Sequence, residues 1–113
     1  MRGEAPPALT FQNYRIYNNY VKIEFDPKKR ENILVSRGLD LATAGELLTG
    51  GCLTEADDRF DYGEDRWISV GLLSGDIVAC VWTDRGDEVV RVITMWKATA
   101  REQERYFRWL EGA

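Results

Sequence analysis

The sequence predicts an α+β domain in which helices are segregated from a small antiparallel sheet. Three segments rich in β-branched and apolar residues follow one another in the second half of the chain, separated by glycine-containing turns, which is typical of a meander. Polar capping residues and apolar residues at helical spacing indicate two short helices before the meander and one after it. The predicted order is strand, two helices, three-stranded meander and C-terminal helix.

Length and composition indicate a single domain. The 113 residues are 44% hydrophobic, enough for one modest core. We place this domain at residues 21–113 and treat residues 1–20 as an N-terminal arm or leader, flexible or loosely helical. Its aromatic residues either stack on bases or lay their rings on the domain or a neighbour; they recur every third position, at Phe11, Tyr14, Tyr17 and Tyr20.

The first half of the domain predicts a strand and two helices. Residues 21–25 alternate apolar and charged side chains, as a strand with one buried face does. Asp26 followed by Pro27 predicts a helix start, and Gly38 its end after Arg37. Asp40 then caps a second helix that ends at a glycine pair; its apolar residues are Leu41, Ala44, Leu47 and Leu48.

The second half begins with an acidic segment. Residues 54–65 hold six acidic residues against one basic residue, Arg59, and predict a solvated connection, with a divalent-cation site as the alternative. Strands are predicted at 66–72, 77–83 and 88–96, and the pair Thr99 and Glu102 predicts a capped helix beginning near Ala100. Strict alternation places one set of side chains of the last strand on a common face: Val89, Arg91, Ile93, Met95 and Lys97.

Charge and residue usage exclude several classes of protein. The net charge of −4 excludes a strongly basic nucleic-acid-coating protein, so any RNA contact comes from a local patch. The sequence has no histidine, the commonest general base near neutral pH, and this also disfavours zinc. Two distant cysteines, Cys52 and Cys80, predict buried free thiols in a reducing compartment. No apolar run resembles a membrane span or a signal peptide, which predicts a cytoplasmic protein without membrane contact.

Four ordered blocks of residues resemble the BrnT family of bacterial toxins. The first block is Phe25 to Asn32 with Gly38 after it. The second is Asp57-Asp58-Arg59-Phe60-Asp61-Tyr62-Gly63-Glu64-Asp65-Arg66-Trp67-Ile68, and the third is the turn from Thr83 to Asp87. The fourth runs from Arg91 to Thr99 and on to Glu102, Arg105 and Tyr106.

This resemblance implies a type II toxin with a RelE-like fold. It implies a metal-independent endoribonuclease without a cofactor, neutralised by a BrnA-type antitoxin that supplies the contact with operator DNA, and a homodimer is one arrangement that it suggests. Two alternatives remain open from the residues. One is a catalytically weakened homologue that mainly binds antitoxin, and the other is an interaction domain outside toxin systems.

The expected site residues follow from the chemistry of RNA cleavage by internal attack of a 2′-hydroxyl group. This reaction needs cations around the phosphorane-like transition state and groups that move protons. We expect Arg66, Arg91 and Lys97 to stabilise the phosphate, and Tyr106 or Glu102 to handle protons. For Arg91 and Lys97, pairing with carboxylates of the acidic connection is the alternative. The expected RNA contacts are Arg37, Arg85 and Trp96.

Two of these positions depart from the family pattern. The family commonly has histidine where Arg37 stands, and arginine where Trp96 stands. Arg37 can replace the histidine as a cation but not as a base. Trp96 either stacks on a base or plugs the site.

Overall fold

A mixed five-stranded sheet with helices on both faces organises the part of the chain that the computed structural model describes, residues 22–112. The strand order is β1-β5-β4-β3-β2. The predicted N-terminal arm, residues 1–20, lies outside the described residues. In chain order the elements are β1 (Lys22–Glu24), α1 (Pro27–Arg37), a 3₁₀ turn (Leu41–Thr43), α2 (Ala44–Thr49), β2 (Leu53–Ala56), β3 (Trp67–Leu73), β4 (Asp76–Gly86), β5 (Val89–Lys97) and α3 (Ala100–Gly112).

The predicted meander is confirmed, but the prediction of a purely antiparallel sheet is wrong. Strands β3, β4 and β5 pair antiparallel in sequence order. Strand β1 instead pairs parallel with β5. The chain leaves β1 at one edge of the sheet, passes through the helices and re-enters the sheet at β2 on the opposite edge, so no hairpin joins β1 to β5. A further strand, β2, pairs antiparallel with β3 where the sequence predicted the beginning of a solvated connection.

A bulge in β5 overturns the predicted common face of that strand. Val81 of β4 pairs with Thr94, whereas the next residue, Trp82, pairs with Val92, so that Ile93 is extra. An extra residue shifts the alternation of side chains by one position. As a result Val92 and Met95 are both buried in the same core, and Lys97 pairs with Val78 of that core, so neither Met95 nor Lys97 shares a face with Arg91.

The predicted helix ends at Asp26, Gly38 and Thr99 are confirmed. The side chain of Asp26 accepts a hydrogen bond from the Lys28 amide at 2.9 Å, and Gly38 ends α1 with a φ of 70°. Thr99 and Glu102 cap α3 reciprocally, at 2.8 and 3.2 Å. The second predicted helix is shorter than expected, because Asp40 caps a 3₁₀ turn and α2 begins only at Ala44.

The two faces of the sheet bury separate apolar cores. The larger core lies under α1 and α2 and centres on fully buried side chains such as Leu47, Trp82 and Met95. The smaller core lies under α3 and contains Val70, Ala79, Ala98 and Tyr106. Both cysteines are free thiols, Cys80 buried and Cys52 half-buried. No helix among residues 22–112 is long and apolar enough to cross a membrane.

Candidate functional site

The face of the sheet that packs against α3 carries two of the predicted site residues, Trp96 and Arg91. We call it the α3-side face. Side chains of paired residues in neighbouring strands share a face, and Trp96 pairs with Ala79, which belongs to the core under α3. Arg91 pairs with Thr83, one residue away from the oppositely directed Trp82, and so points to the same side as Trp96.

A buried carboxylate, Asp57, organises the segment that follows β2. It is 1% exposed, although it lies in the segment predicted to be solvated. Its two oxygens accept hydrogen bonds from Nε and Nη2 of Arg59 at 2.7 and 2.9 Å, and from the Tyr62 hydroxyl at 3.0 Å. The Arg59 amide donates to the same carboxylate at 3.3 Å. These contacts compensate the lost hydration, as a buried charge requires.

The same contacts set the charge states of Asp57 and Arg59. Burial raises the pKa of Asp57, but the hydrogen bonds from Arg59 and Tyr62 outweigh burial, and the net pKa lies below the usual value of 3.8. The hydrogen bond to Asp57 raises the pKa of Arg59. Both groups are therefore charged across the physiological pH range.

Arg59 also contacts Trp96, which connects the acidic segment to β5. The guanidinium carbon of Arg59 lies over the indole ring at 5.4 Å from its centroid. The indole Nε1 in turn donates to the two oxygens of Glu102 at 3.0 and 3.3 Å. Trp96 is therefore held from two sides, by a cation above its ring and by the first turn of α3 at its edge.

A second cation–aromatic contact involves the predicted site residue Arg66. Its guanidinium carbon lies 4.1 Å from the centroid of the Tyr62 ring, and its Nε donates to Glu64 at 2.9 Å. Because the Tyr62 hydroxyl binds Asp57, the buried carboxylate connects both cation–aromatic pairs. We call Asp57, Arg59, Tyr62, Arg66 and Trp96 the Asp57 network.

Arg91 and Arg85 lie together beside β1, where they pair with Glu24 rather than with a member of this network. Both approach the same oxygen of Glu24, Arg91 at 2.6 Å and Arg85 at 3.6 Å. These ion pairs lower the pKa of Glu24 below its usual value. The alternative in which Arg91 pairs with the acidic connection is wrong, because its partner belongs to β1.

Lys97, the last residue of β5, and Arg37, at the end of α1, lie near the part of β5 that β1 does not cover. The other two predicted residues, Tyr106 and Glu102, belong to α3. Lys97 is exposed and has no carboxylate partner among the described residues. Arg37 extends from the end of α1 and donates to the Met95 carbonyl at 2.6 Å. Tyr106 is 3% exposed within the core under α3, whereas Glu102 is half-buried next to Trp96.

The structure therefore brings the predicted residues into several neighbouring groups rather than one cluster. Arg66 and Arg91 lie at one end of the sheet, whereas Trp96 lies farther along β5 with Glu102 of α3 beside it. Sequence reasoning missed Asp57 and Arg59, which lie between these groups. The available signal was the single base among six acids, placed two residues after an aspartate, a spacing that suits a local side-chain turn.

The described residues hold no group of three or more His, Cys, Asp or Glu side chains arranged to bind a metal ion. Two of the acidic residues after β2, Asp57 and Glu64, instead pair with Arg59 and Arg66. Several acidic residues of this segment make further contacts within the molecule.

Comparisons with known proteins agree with the architecture. Residues 25–102 match the family model of the ribonuclease toxin BrnT of type II toxin–antitoxin systems. Among solved structures, the chain is similar to the Brucella abortus ribonuclease toxin BrnT, with a TM-score of 0.52 and 27% identity over 70% of this chain and 97% of that chain. No curated protein matches the chain.

Proposed function

Because the chain belongs to the BrnT family of ribonuclease toxins of type II toxin–antitoxin systems, we propose that it is an endoribonuclease that cleaves RNA without a metal ion. The family match over residues 25–102 is the observation that carries this proposal. The comparisons give no support to the alternative of a catalytically weakened homologue.

Membership of a type II system implies an antitoxin partner. We propose that this partner is a BrnA-type antitoxin, that it neutralises the toxin in the cytoplasm, and that contact with operator DNA passes through it. A RelE-like arrangement of the domain and a homodimer are further parts of the proposal. The net charge of −4 supports a division of labour in which this chain does not itself hold DNA.

We propose Arg66 and Arg91 as the cations that stabilise the phosphorane-like transition state. Thr83 pairs with Arg91 across the β4–β5 ladder and donates its hydroxyl to the Asp65 carbonyl at 2.7 Å, next to Arg66. Two strand spacings separate the Arg66 and Arg91 backbones, roughly 10 Å. Long side chains directed to one face from that distance can reach a single phosphate group, and both are partly exposed, at 24% and 29%.

The remaining predicted residues are assigned supporting roles. Glu102 is the more accessible of the two proposed proton-transfer residues, since Tyr106 is buried. Trp96 contacts RNA on the α3-side face. Positive charge at the edges of the sheet comes from Arg37, Arg85 and Lys97. Lys97 is the exposed last residue of β5.

Inducible expression in a bacterial host tests this function. We expect growth arrest and loss of intact RNA with the parent chain, relief of both with Arg91→Gln, and weaker relief with Lys97→Ala, because Lys97 only adds charge at the edge of the sheet. Arg108→Gln is the matched control, since Arg108 is also ion-paired but lies on the exposed side of α3 and should leave toxicity unchanged. Normal growth and intact RNA on expression of a folded parent chain would refute the proposal.

The same cells test the proposed partner and the absence of a metal requirement. Co-expression of a BrnA-type antitoxin should restore growth. Purified protein should cleave RNA in the presence of a chelator, because no proposed step uses a metal ion. Cleavage that stops with chelator and returns with a divalent cation would overturn that part of the proposal.

A further inference from the structure

We propose that Arg59 stacks on a base of single-stranded RNA, with Trp96 beneath its guanidinium group and Asp57 fixing its orientation. The inference rests on the proposed ribonuclease function and identifies a substrate contact outside the predicted site. Its starting point is the Asp57 network, where, among residues 22–112, a buried charge holds a half-exposed cation over an aromatic ring.

Asp57 fixes the position of the Arg59 guanidinium group. Asp57 contacts two of its nitrogens at 2.7 and 2.9 Å, and a two-point contact of this kind defines the plane of the group as well as its position. The carboxylate is itself buried and held by the Tyr62 hydroxyl. A ligand that binds Arg59 therefore loses little affinity to the ordering of a flexible side chain.

The Trp96 ring lies beneath the Arg59 guanidinium group. Trp96 cannot move independently, because its indole nitrogen is bound to Glu102 at the start of α3. The guanidinium carbon lies over the ring at 5.4 Å from its centroid, and the Arg59 side chain is 50% exposed. The planar guanidinium group of Arg59 is therefore held in a fixed position at the protein surface, above the Trp96 ring.

A base suits the Arg59 site better than a phosphate group does. Asp57 already pairs with the Arg59 charge, which makes Arg59 a weak phosphate site. Its planar group still stacks on a base, as guanidinium groups do in recognition of single-stranded RNA. Duplex RNA keeps its bases stacked internally and should bind poorly.

Binding of a cleavage-resistant probe tests the inference. A fluorescent single-stranded 2′-O-methyl oligoribonucleotide cannot be cut, because it lacks the attacking 2′-hydroxyl group, and its affinity is measured by anisotropy. We expect Arg59→Lys, which keeps the charge and removes the planar group, to raise Kd about tenfold. Arg108→Lys, the same change in an ion-paired arginine on α3, should leave Kd unchanged. Inorganic polyphosphate should bind the parent and Arg59→Lys equally.

A second measurement does not depend on the folding of a variant. In the parent protein, NMR should show the Arg59 Nε–H signal moving upfield when the oligonucleotide is added, from the ring current of the stacked base, and not when polyphosphate is added. An unmoved signal, unchanged RNA affinity in folded Arg59→Lys, or an equal loss of affinity for polyphosphate would overturn the inference.

The outcome also separates this inference from the proposed function. A parent chain that cleaves RNA while Arg59→Lys binds the probe normally would leave the ribonuclease function intact and remove the stacking role. A parent chain that binds the probe through Arg59 but cleaves no RNA would support the stacking role and refute the ribonuclease function.

Discussion

The indole nitrogen of Trp96 donates to the same Glu102 carboxylate that accepts a hydrogen bond from the Thr99 amide at 2.8 Å. One carboxylate therefore caps α3 and fixes a side chain of β5. The resemblance to the family leads us to expect arginine at position 96, and the tryptophan found there is built into the junction between strand and helix. This junction gives the first of four predictions.

We expect Glu102→Gln to lower the free energy of unfolding by about 1 kcal/mol, because the neutral amide weakens hydrogen bonds to both Thr99 and Trp96. Chemical denaturation measures the change. Glu104→Gln is the control, since Glu104 pairs with the exposed Arg108 one turn later. Equal stability of the two variants would show that the junction contributes nothing.

The second prediction concerns acid stability and the buried Asp57. Its pKa is lowered in the folded protein, so its contribution to stability is fully present above the usual value of 3.8 and is lost as the pH falls through the lower, folded pKa. Asp57→Asn should lower stability at pH 7 by about 1–2 kcal/mol and flatten the dependence of Tm on pH below about 4.

Asp40 provides a comparison for the acid prediction. The hydrogen bond from Arg30 lowers the pKa of Asp40, so Asp40→Asn should also flatten the acid limb while leaving the Asp57 network intact. The double variant should combine both effects, because the two carboxylates share no partner. An unchanged acid limb in Asp57→Asn would contradict the assigned charge state.

The third prediction concerns the end of α1. Gly38 has a φ of 70°, and no atom would lie within 4 Å of an added Cβ, so Gly38→Ala suffers only conformational strain. We expect it to lower the free energy of unfolding by about 1 kcal/mol. Gly112→Ala is the matched control, since that site is equally open but needs no positive φ. Equal stability of the two variants would count against the left-handed end of α1.

The fourth prediction concerns the two thiols. Burial raises the pKa of both Cys80 and Cys52, so few thiolates form at neutral pH. A colorimetric thiol reagent should react slowly with the folded protein and rapidly with both cysteines after denaturation. Cys52→Ala should abolish most of the slow reaction, because Cys80 is fully buried. Rapid reaction of both thiols in the folded state would contradict the burial.

Local signals in the sequence predicted the helix ends and the meander well. Asp26, Gly38 and the pair Thr99 and Glu102 act on backbone groups only a few residues away, so their roles can be read without knowing the tertiary structure. The meander follows from turn spacing in the same way. The family resemblance, confirmed by the match over residues 25–102, came from four such local blocks.

The features that the sequence did not predict depend on contacts between distant segments. The bulge at Ile93 depends on how β5 pairs with β4, and strict alternation placed Met95 on the wrong face. The parallel β1–β5 pair joins residues more than sixty positions apart. Asp57 looked like a solvated acid, because the sequence does not show that its segment folds against the sheet, where Arg59 reaches Trp96 of β5.

The short first strand has a consequence for how the protein behaves at high concentration. β1 pairs with β5 only from Val89 to Arg91, so no described strand covers the outer edge of β5 from Met95 to Lys97. An open strand edge is a template for uncontrolled association between molecules. Arg37 occupies the Met95 carbonyl at that edge, and the charge of Lys97 opposes an incoming strand. These two cations are therefore expected to keep the protein from aggregating, whatever they contribute to RNA.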